Sequence, residues 1–210
     1  MEKDVLSGET EVPSPVLPGD AFGLSELTED AALALLKKAD LQPAVLEKLS
    51  KSSSLMKSRK VKLALVQHLR TPRHVLLPLL RHLFTFDLMR VALMPAVSAE
   101  AKIAAEESLI HRLEKLSLGE KLSLAKRSSG RVASALLHDP DPGVVDTALK
   151  NGRLTESAVL RELMKRNAGP HLAHTISAHP KWGLRQEVRT ALSKENTSGQ
   201  PSEVSETEKD

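Results

Sequence analysis

Short runs of apolar residues at helical spacing fill the middle of this chain. Val61, Leu65 and Leu69 lie four residues apart, and Ala64 and Val66 widen the same apolar face. Other segments show the same spacing, and Ser, Thr, Gly or Pro separates each from the next. The pattern predicts about eleven short amphipathic helices joined by brief turns, and it indicates no β-strand.

Residues that favour helix starts precede several of these runs. Ser117 with Glu120 three residues later forms a capping-box pattern. Thr71 before Pro72 and Asp141 before Pro142 each join an N-cap to the residue preferred at the first helical position. Pro78 falls inside an apolar helical pattern, which predicts a kink or a break there. Predicted helices include 28–39, 43–50, 57–69, 87–93, 99–116, 131–137, 155–166 and 170–178.

The segment 99–116 is the longest predicted helix. Ser98 supplies an N-cap, and the apolar spacing places an inward face on Ile103, Leu109, Ile110 and Leu113.

Parts of the pattern repeat along the chain. Segments 61–72 and 132–142 each run from an apolar helix through a histidine to a capping residue and a proline, and 176–192 is a looser copy. The copies are spaced by one or two units of about 35 residues, a period typical of solenoids built from helix pairs. Each pair leaves an apolar side uncovered, and stacking on its neighbours covers it.

Three motifs resemble those of known helical repeats: His-Pro-Lys-Trp-Gly-Leu-Arg at 179–185, Val-Arg-Thr-Ala-Leu at 188–192 and Leu-His-Asp-Pro-Asp-Pro at 137–142. They are similar to HEAT-like repeats and, more closely, to the bacterial leucine-rich repeat variant family, over 125–194 and less fully over 57–85. The resemblance implies an all-α, right-handed α-solenoid of about five irregular helix pairs that acts as an interaction scaffold. The iron–sulfur cluster that members of that family can carry is not implied, because this chain has no cysteine. An irregular helical bundle needs the same helices and is the alternative fold.

Proline and acidic residues set both ends of the chain apart. Residues 1–23 contain three prolines, several acids and no apolar periodicity, and 195–210 has a similar composition. Such segments bury too little apolar surface to offset chain entropy. We therefore expect disordered acidic tails at 1–23 and 195–210 around a helical-repeat domain at 24–194.

Composition supports the all-α expectation and indicates the cellular compartment. Leu and Ala dominate the apolar residues, and the chain has no Tyr, one Trp and three Phe, which favours helices over strands. The absence of cysteine fits a reducing compartment, and the acidic start lacks the apolar core of a secretory signal. No apolar run is long enough to span a membrane. We expect a cytoplasmic protein without a membrane partner.

Charge is distributed unevenly along the chain. The net charge of +3 combines −7 over 1–30 and −3 over 193–210 with +13 over 31–192. Residues 48–86 contain no acid at all, and exposed Lys and Arg side chains attract phosphates or acidic surfaces. The candidate binding surface consists of Lys57, Arg59, Lys60, Lys62, Arg70, Arg73 and Arg81.

Catalytic and metal patterns are weak. The sequence has no phosphate-binding loop, no dinucleotide fingerprint and no nucleophile elbow. His171 and His174 share a helix face and His179 follows, but no carboxylate lies between Glu162 and Glu187 to complete a metal site. Helix-end hydrogen bonds explain such histidines more simply. We therefore expect no enzyme activity, cofactor or metal.

Two functions fit these observations. The first is a non-enzymatic helical-repeat scaffold that binds a protein partner. The alternative is duplex DNA binding through the basic segment 48–86, in the way that HEAT-like DNA glycosylases wrap DNA; scarce aromatic residues disfavour single-stranded nucleic acid. An enzyme acting on nucleotides would need an acid within the basic segment, which has none. The sequence does not indicate an oligomeric state.

Overall fold

Twelve α-helices follow one another through the part of the chain that the structure describes. In a computed structural model, residues 27–165 and 170–198 are described, and they contain no strand, so the all-α prediction is confirmed. The predicted N-terminal tail lies outside the described residues, as do residues 199–210 of the predicted C-terminal tail, whereas 195–198 belong to the last helix. The helices are α1 (Glu29–Leu36), α2 (Pro43–Lys51), α3 (Arg59–Gln67), α4 (Arg73–Arg81), α5 (Thr85–Leu93), α6 (Ala99–Ile110), α7 (Leu118–Arg127), α8 (Gly130–Ala135), α9 (Pro142–Leu149), α10 (Glu156–Leu163), α11 (Pro170–Ala178) and α12 (Gln186–Ser198).

Side-chain caps begin several helices where the sequence predicts them. The capping box of α7 is complete, because the Ser117 hydroxyl accepts from the Glu120 N–H and the Glu120 carboxylate accepts from the Ser117 N–H at 3.1 Å. Asp141 Oδ1 accepts from the N–H groups of Gly143 and Val144 at 2.8 and 3.2 Å. These bonds satisfy N–H groups that a helix start otherwise leaves unpaired.

The start and middle of α4 differ from the prediction. Pro72 itself occupies the N-cap position, and the Thr71 hydroxyl donates to the Leu65 carbonyl at 2.6 Å. Pro78 does not break α4, which is continuous from Arg73 to Arg81. The hydrogen bond that proline removes would have ended on the carbonyl of His74, an exposed residue in the first turn that water can reach.

The predicted inward face of α6 is also wrong in part. Ile103 is 49% exposed, whereas Ala101, Ala105 and Leu109 are buried. The inward face therefore follows these three residues at four-residue spacing, and Ile103 lies on the opposite side of the helix. Two of the three are alanines, which let α5 pack closely against α6. The helix ends at Ile110, and a separate 3₁₀ turn follows.

Helices pack both against the next helix, most extensively α5 against α6, and against the helix two positions along the chain. One row contains α4, α6, α8, α10 and α12, each in contact with the next. In the other row α1 packs on α3, α3 packs on α5, and α7 packs on α9. Buried apolar side chains from Ala32 in α1 to Val188 in α12 form one continuous core. Since each helix covers only part of its neighbour, the core depends on the whole stack.

Polar side chains tie each unit to the end of a helix in the unit before it. Asn151, which is buried just after α9, donates from Nδ2 to the carbonyls of Ala125 and Ser128 at 2.8 and 3.2 Å, at the end of α7. Its Oδ1 accepts from the N–H of Arg153 at 2.8 Å, which fixes the turn. We call such bonds cross-unit ties, because they satisfy helix-end carbonyls that have no partner within their own helix.

A histidine forms an equivalent tie after α3. Nδ1 of His68 accepts from the N–H of Arg70 at 3.2 Å, so the other ring nitrogen carries the proton. That Nε2 donates to the carbonyl of Lys38 at 2.9 Å, past the end of α1. The side chain of Arg70 adds a bond to the carbonyl of Asp40. His68 and Asn151 therefore occupy equivalent turns and perform the same task.

Two larger side chains complete the series of cross-unit ties. The guanidinium of Arg112, after α6, donates to the carbonyls at the end of α4, with a shortest distance of 2.7 Å to Leu83. The indole N–H of the buried Trp182, after α11, donates to the carbonyl of Leu149 at the end of α9 at 2.8 Å. Each tie joins residues about one repeat unit apart in sequence.

Gly130, the first residue of α8, sits directly beneath the turn that carries Asn151. A Cβ atom at Gly130 would lie 2.3 Å from the backbone carbonyl oxygen of Arg153, whereas a Cβ at Gly119 in α7 would meet nothing within 4 Å. Gly130→Ala should lower the free energy of unfolding by about 1–3 kcal/mol through overpacking. Gly119→Ala, the matched control, should leave it unchanged or raise it by up to about 1 kcal/mol. Denaturant unfolding followed by circular dichroism measures both, and equal effects would contradict the close approach.

Candidate interaction surface

Arg59, the first residue of α3, is bound to a carboxylate in the next unit. Its Nε and Nη2 atoms donate to the two carboxylate oxygens of Asp87 in α5 at 2.7 and 2.8 Å. Its guanidinium also lies over the ring of Phe84, 4.9 Å from the ring centroid. The hydrogen bond and the charge of Asp87 raise the pKa of Arg59. Asp87 is the first acid after the acid-free segment, one residue beyond it, and it is buried.

Three more members of the candidate surface contact groups in neighbouring units. The side chain of Arg73 lies 2.7 Å from the Glu100 carboxylate of α6, and Lys60 lies 3.8 Å from Glu29 of α1. Arg70 donates to a backbone carbonyl in the turn after α1. These pairs join residues about one unit apart, so a window along the sequence does not show them. Three of the seven charges, those of Arg59, Lys60 and Arg73, are therefore paired with carboxylates.

Lys57, Lys62 and Arg81 form no ion pair with any described residue. Lys57 and Arg81 are exposed, and Lys62 is half-buried on α3. Their charges therefore remain available to a partner. Surface cations without partners attract anionic groups at a distance and increase association rates.

The seven residues lie in different parts of the fold. Lys57 and Arg59 lie at the start of α3, and Arg81 ends α4. The contacts of Arg59 with Asp87 and Phe84 bring the start of α5, which follows α4, beside the start of α3, so the three cations lie on one edge of the fold. Arg70 and Arg73 lie in and after the turn that joins the other end of α3 to α4. Lys60 and Lys62 lie along α3 between these two edges.

Exposed apolar side chains accompany the first group of cations. Phe84 is 63% exposed and Phe86 is 41% exposed at the start of α5. Leu118, 51% exposed, begins α7, and the Glu120 carboxyl in the first turn of that helix lies close enough to the Thr85 side chain of α5 for Thr85 to lower its pKa. We call the surface formed by Lys57, Arg59, Arg81, Phe84, Phe86 and Leu118 the α3–α5–α7 edge.

The aromatic part of this edge was not predicted from the sequence. Phe84 and Phe86 are two of only three phenylalanines in the chain, and they flank a single threonine. Sequence alone does not show whether such a pair faces the core or solvent. The only local signal was the spacing of the two residues. Residues two positions apart at a helix start point to different sides, so one face cannot bury both rings.

Groups with perturbed pKa values have structural explanations. Hydrogen bonds from the Ser117 hydroxyl and N–H lower the pKa of the Glu120 carboxyl within the α7 capping box. Burial lowers the pKa of His179, whose Nδ1 accepts from the N–H of Lys181 at 3.2 Å. Its Nε2 is buried without a hydrogen-bond partner among the described residues.

Histidines and acids do not converge on a common centre in the described ranges. His171 and His174 are exposed on α11, whereas His179 is buried in the following turn. His138 Nε2 lies 2.9 Å from a carboxylate oxygen of the buried Glu162, which also contacts Lys165. Over 27–165 and 170–198, no group of three or more His, Asp or Glu side chains is placed to hold a metal ion.

Comparison of the chain with protein-family models, with curated proteins and with solved structures finds no match. The described helices also include none whose length and apolar content would let it cross a membrane.

The contact between Arg59 and Asp87 should be a coupled pair. Arg59→Ala should lower the melting temperature because it leaves the buried Asp87 carboxylate without its partner, and Asp87→Ala should lower it less because the guanidinium that remains is exposed. The double variant should lose less than the sum of the two, since both changes remove the same interaction. Lys57→Ala, a control that removes a neighbouring cation without a partner, should leave the melting temperature unchanged. Thermal unfolding by circular dichroism tests this, and additive losses would show that the pair does not stabilise the fold.

Proposed function

We propose that this chain is a non-enzymatic helical-repeat scaffold that binds a protein partner through the α3–α5–α7 edge. The observation that carries this proposal is the exposed pair Phe84 and Phe86 beside the guanidinium of Arg59. Aromatic and Arg side chains provide most of the binding energy in protein interfaces. Arg59 is already held by Asp87 and stacked on Phe84, so little conformational entropy would be lost on binding.

A right-handed α-solenoid of about five HEAT-like helix pairs is the architecture we infer for this scaffold. Packing between helices two positions apart and cross-unit ties at intervals of roughly one repeat support it. Such stacks present long rows of turns, and the α3–α5–α7 edge is one of these rows. The absence of cysteine supports a reducing location, and we propose the cytoplasm.

The edge defines the chemistry of its partner. Phe84, Phe86 and Leu118 need an apolar surface with a pocket for an aromatic ring, because leaving them in water forgoes their burial free energy. Lys57 and Arg81 flank these residues without ion pairs, so acidic side chains around that pocket would complement them. The partner we propose is therefore a protein with an apolar pocket bordered by Asp or Glu.

A second candidate function is duplex DNA binding through the basic segment 48–86. The observation that favours it is that Lys57, Lys62 and Arg81 have no ion-pair partner among the described residues. Phosphate contacts by Lys and Arg supply most of the affinity of sequence-independent DNA binding. Against it, Arg59, Lys60 and Arg73 are engaged with carboxylates.

Removing both rings should abolish partner binding without affecting the fold. The double variant Phe84→Ala with Phe86→Ala, compared with the wild type as bait in a native extract, should lose one specific partner in quantitative mass spectrometry. Ile103→Ala removes an equally exposed apolar side chain from α6 and should retain that partner. Purified partner should then bind at least about tenfold more weakly to the double variant, as expected for two hot-spot side chains. A partner set unchanged by the double variant would refute the proposal for this edge.

DNA binding has a separate test. If the alternative holds, the wild type should shift a duplex in gel electrophoresis at low salt, and the shift should weaken steeply as salt rises. Lys57→Glu with Arg81→Glu should abolish it. Lys126→Glu with Arg189→Glu makes the same charge change at exposed residues on α7 and α12 and should reduce it much less. Absence of a shift in the wild type, or equal losses in both variants, would exclude DNA binding by this surface.

A further inference from the structure

A groove runs between α1 and α3 at the first end of the helix stack. Its cavity volume is about 750 Å³. From α1 it is lined by one face at helical spacing, which includes Leu33, Ala34 and Lys37. From α3 it is lined by Lys60 and residues four and seven positions later, and most of its lining is apolar. The groove is therefore long enough for several side chains of an extended segment.

The first helix is more apolar than the end of a helix stack should be. Six of the eight residues of α1 are Ala or Leu, and only Ala32 and Leu36 are buried. Stacked-helix proteins need end helices with a polar outer side, because nothing stacks beyond them. Leu69, 62% exposed, extends the same uncovered apolar surface at the far end of the groove. This end of the core lacks part of its cover.

A hydrogen-bond donor in the groove also lacks a partner. Nε2 of Gln67 is buried and forms no hydrogen bond with the described residues, and Gln67 belongs to the lining of the groove. A buried amide without a partner destabilises a protein. A chain segment in the groove would supply backbone carbonyls that can accept from it.

We propose that the N-terminal segment of this chain, residues 1–26, docks in the groove, with Phe22 and Leu24 on its apolar floor. The described part of the chain begins at Leu27, directly before α1, so the segment enters next to the groove. Five extended residues from Phe22 to Leu27 span up to roughly 17 Å, and α1 is about 12 Å long. A reversal near Ser25 leaves three extended residues, up to about 10 Å, which is enough to place the ring of Phe22 beside the first turns of α1.

Charge favours the same occupant. Residues 1–26 contain six acids and one lysine. The groove presents Lys37 and Lys60 against a single acid, Asp30, with Glu29 near Lys60 at 3.8 Å. The segment thus brings apolar side chains to an apolar floor and carboxylates to a basic rim, at a very high effective concentration because both belong to one chain. This inference is independent of the proposed partner and of the α3–α5–α7 edge.

The docking is tested by photo-crosslinking in the full-length chain. Benzoylphenylalanine replaces Phe22, and the purified protein is irradiated after mixing chains of natural and heavy isotope content. We expect links within one chain, from position 22 to residues 33–37 or 64–69, identified by mass spectrometry. Links between light and heavy chains would show a second copy as the occupant and overturn the proposal. Links to 54–58, or no specific link, would overturn it as well.

Two matched variants of α1 separate docking from chance proximity. Ala34→Glu places a carboxylate in the groove and should reduce the yield of the specific link by about tenfold or more, because a charge is costly on an apolar floor. Ala31→Glu makes the same change at an exposed residue of the same helix that does not line the groove, and should leave the yield unchanged. Circular dichroism confirms that both variants are folded. Equal yields from the two variants would refute docking in this groove.

Discussion

Short helices that cannot stand alone are the constraint on which this structure depends. The helices contain six to thirteen residues, a length at which isolated helices are marginal in water. Their stability comes from neighbours in two ways. Apolar faces are covered by the helix two positions along the chain, and helix-end carbonyls accept hydrogen bonds from Asn151, Arg112, Trp182 and His68 in the following unit. Both kinds of contact exist only between units.

The same logic applies to charge. A window along the sequence shows a long stretch without acids, but Arg59, Lys60 and Arg73 contact carboxylates of units before or after their own. What remains for a partner is a smaller set of cations beside exposed aromatic rings. Recognition at such an edge depends on shape and apolar burial as well as on charge, which is why we place protein binding ahead of DNA binding.

Local features of the fold could be predicted from the sequence, and non-local ones could not. The capping box of Ser117 and the cap of Asp141 involve residues three or fewer positions apart, so their patterns are complete in the sequence. Ile103 was misplaced because the inward face of α6 is chosen by how closely α5 approaches the alanines there. Asp87 and the exposure of Phe84 were missed for the same reason, since both depend on contacts between helices.

The cross-unit ties all run in one direction. In every case the donor side chain lies later in the chain than the carbonyls it satisfies, whether the donor is His68, Arg112, Asn151 or Trp182. A ribosome makes the acceptors first, so each unit leaves the exit tunnel with an unfinished helix end. That end is completed only when the turn of the next unit emerges, so the donors of these four ties become available in the order of synthesis.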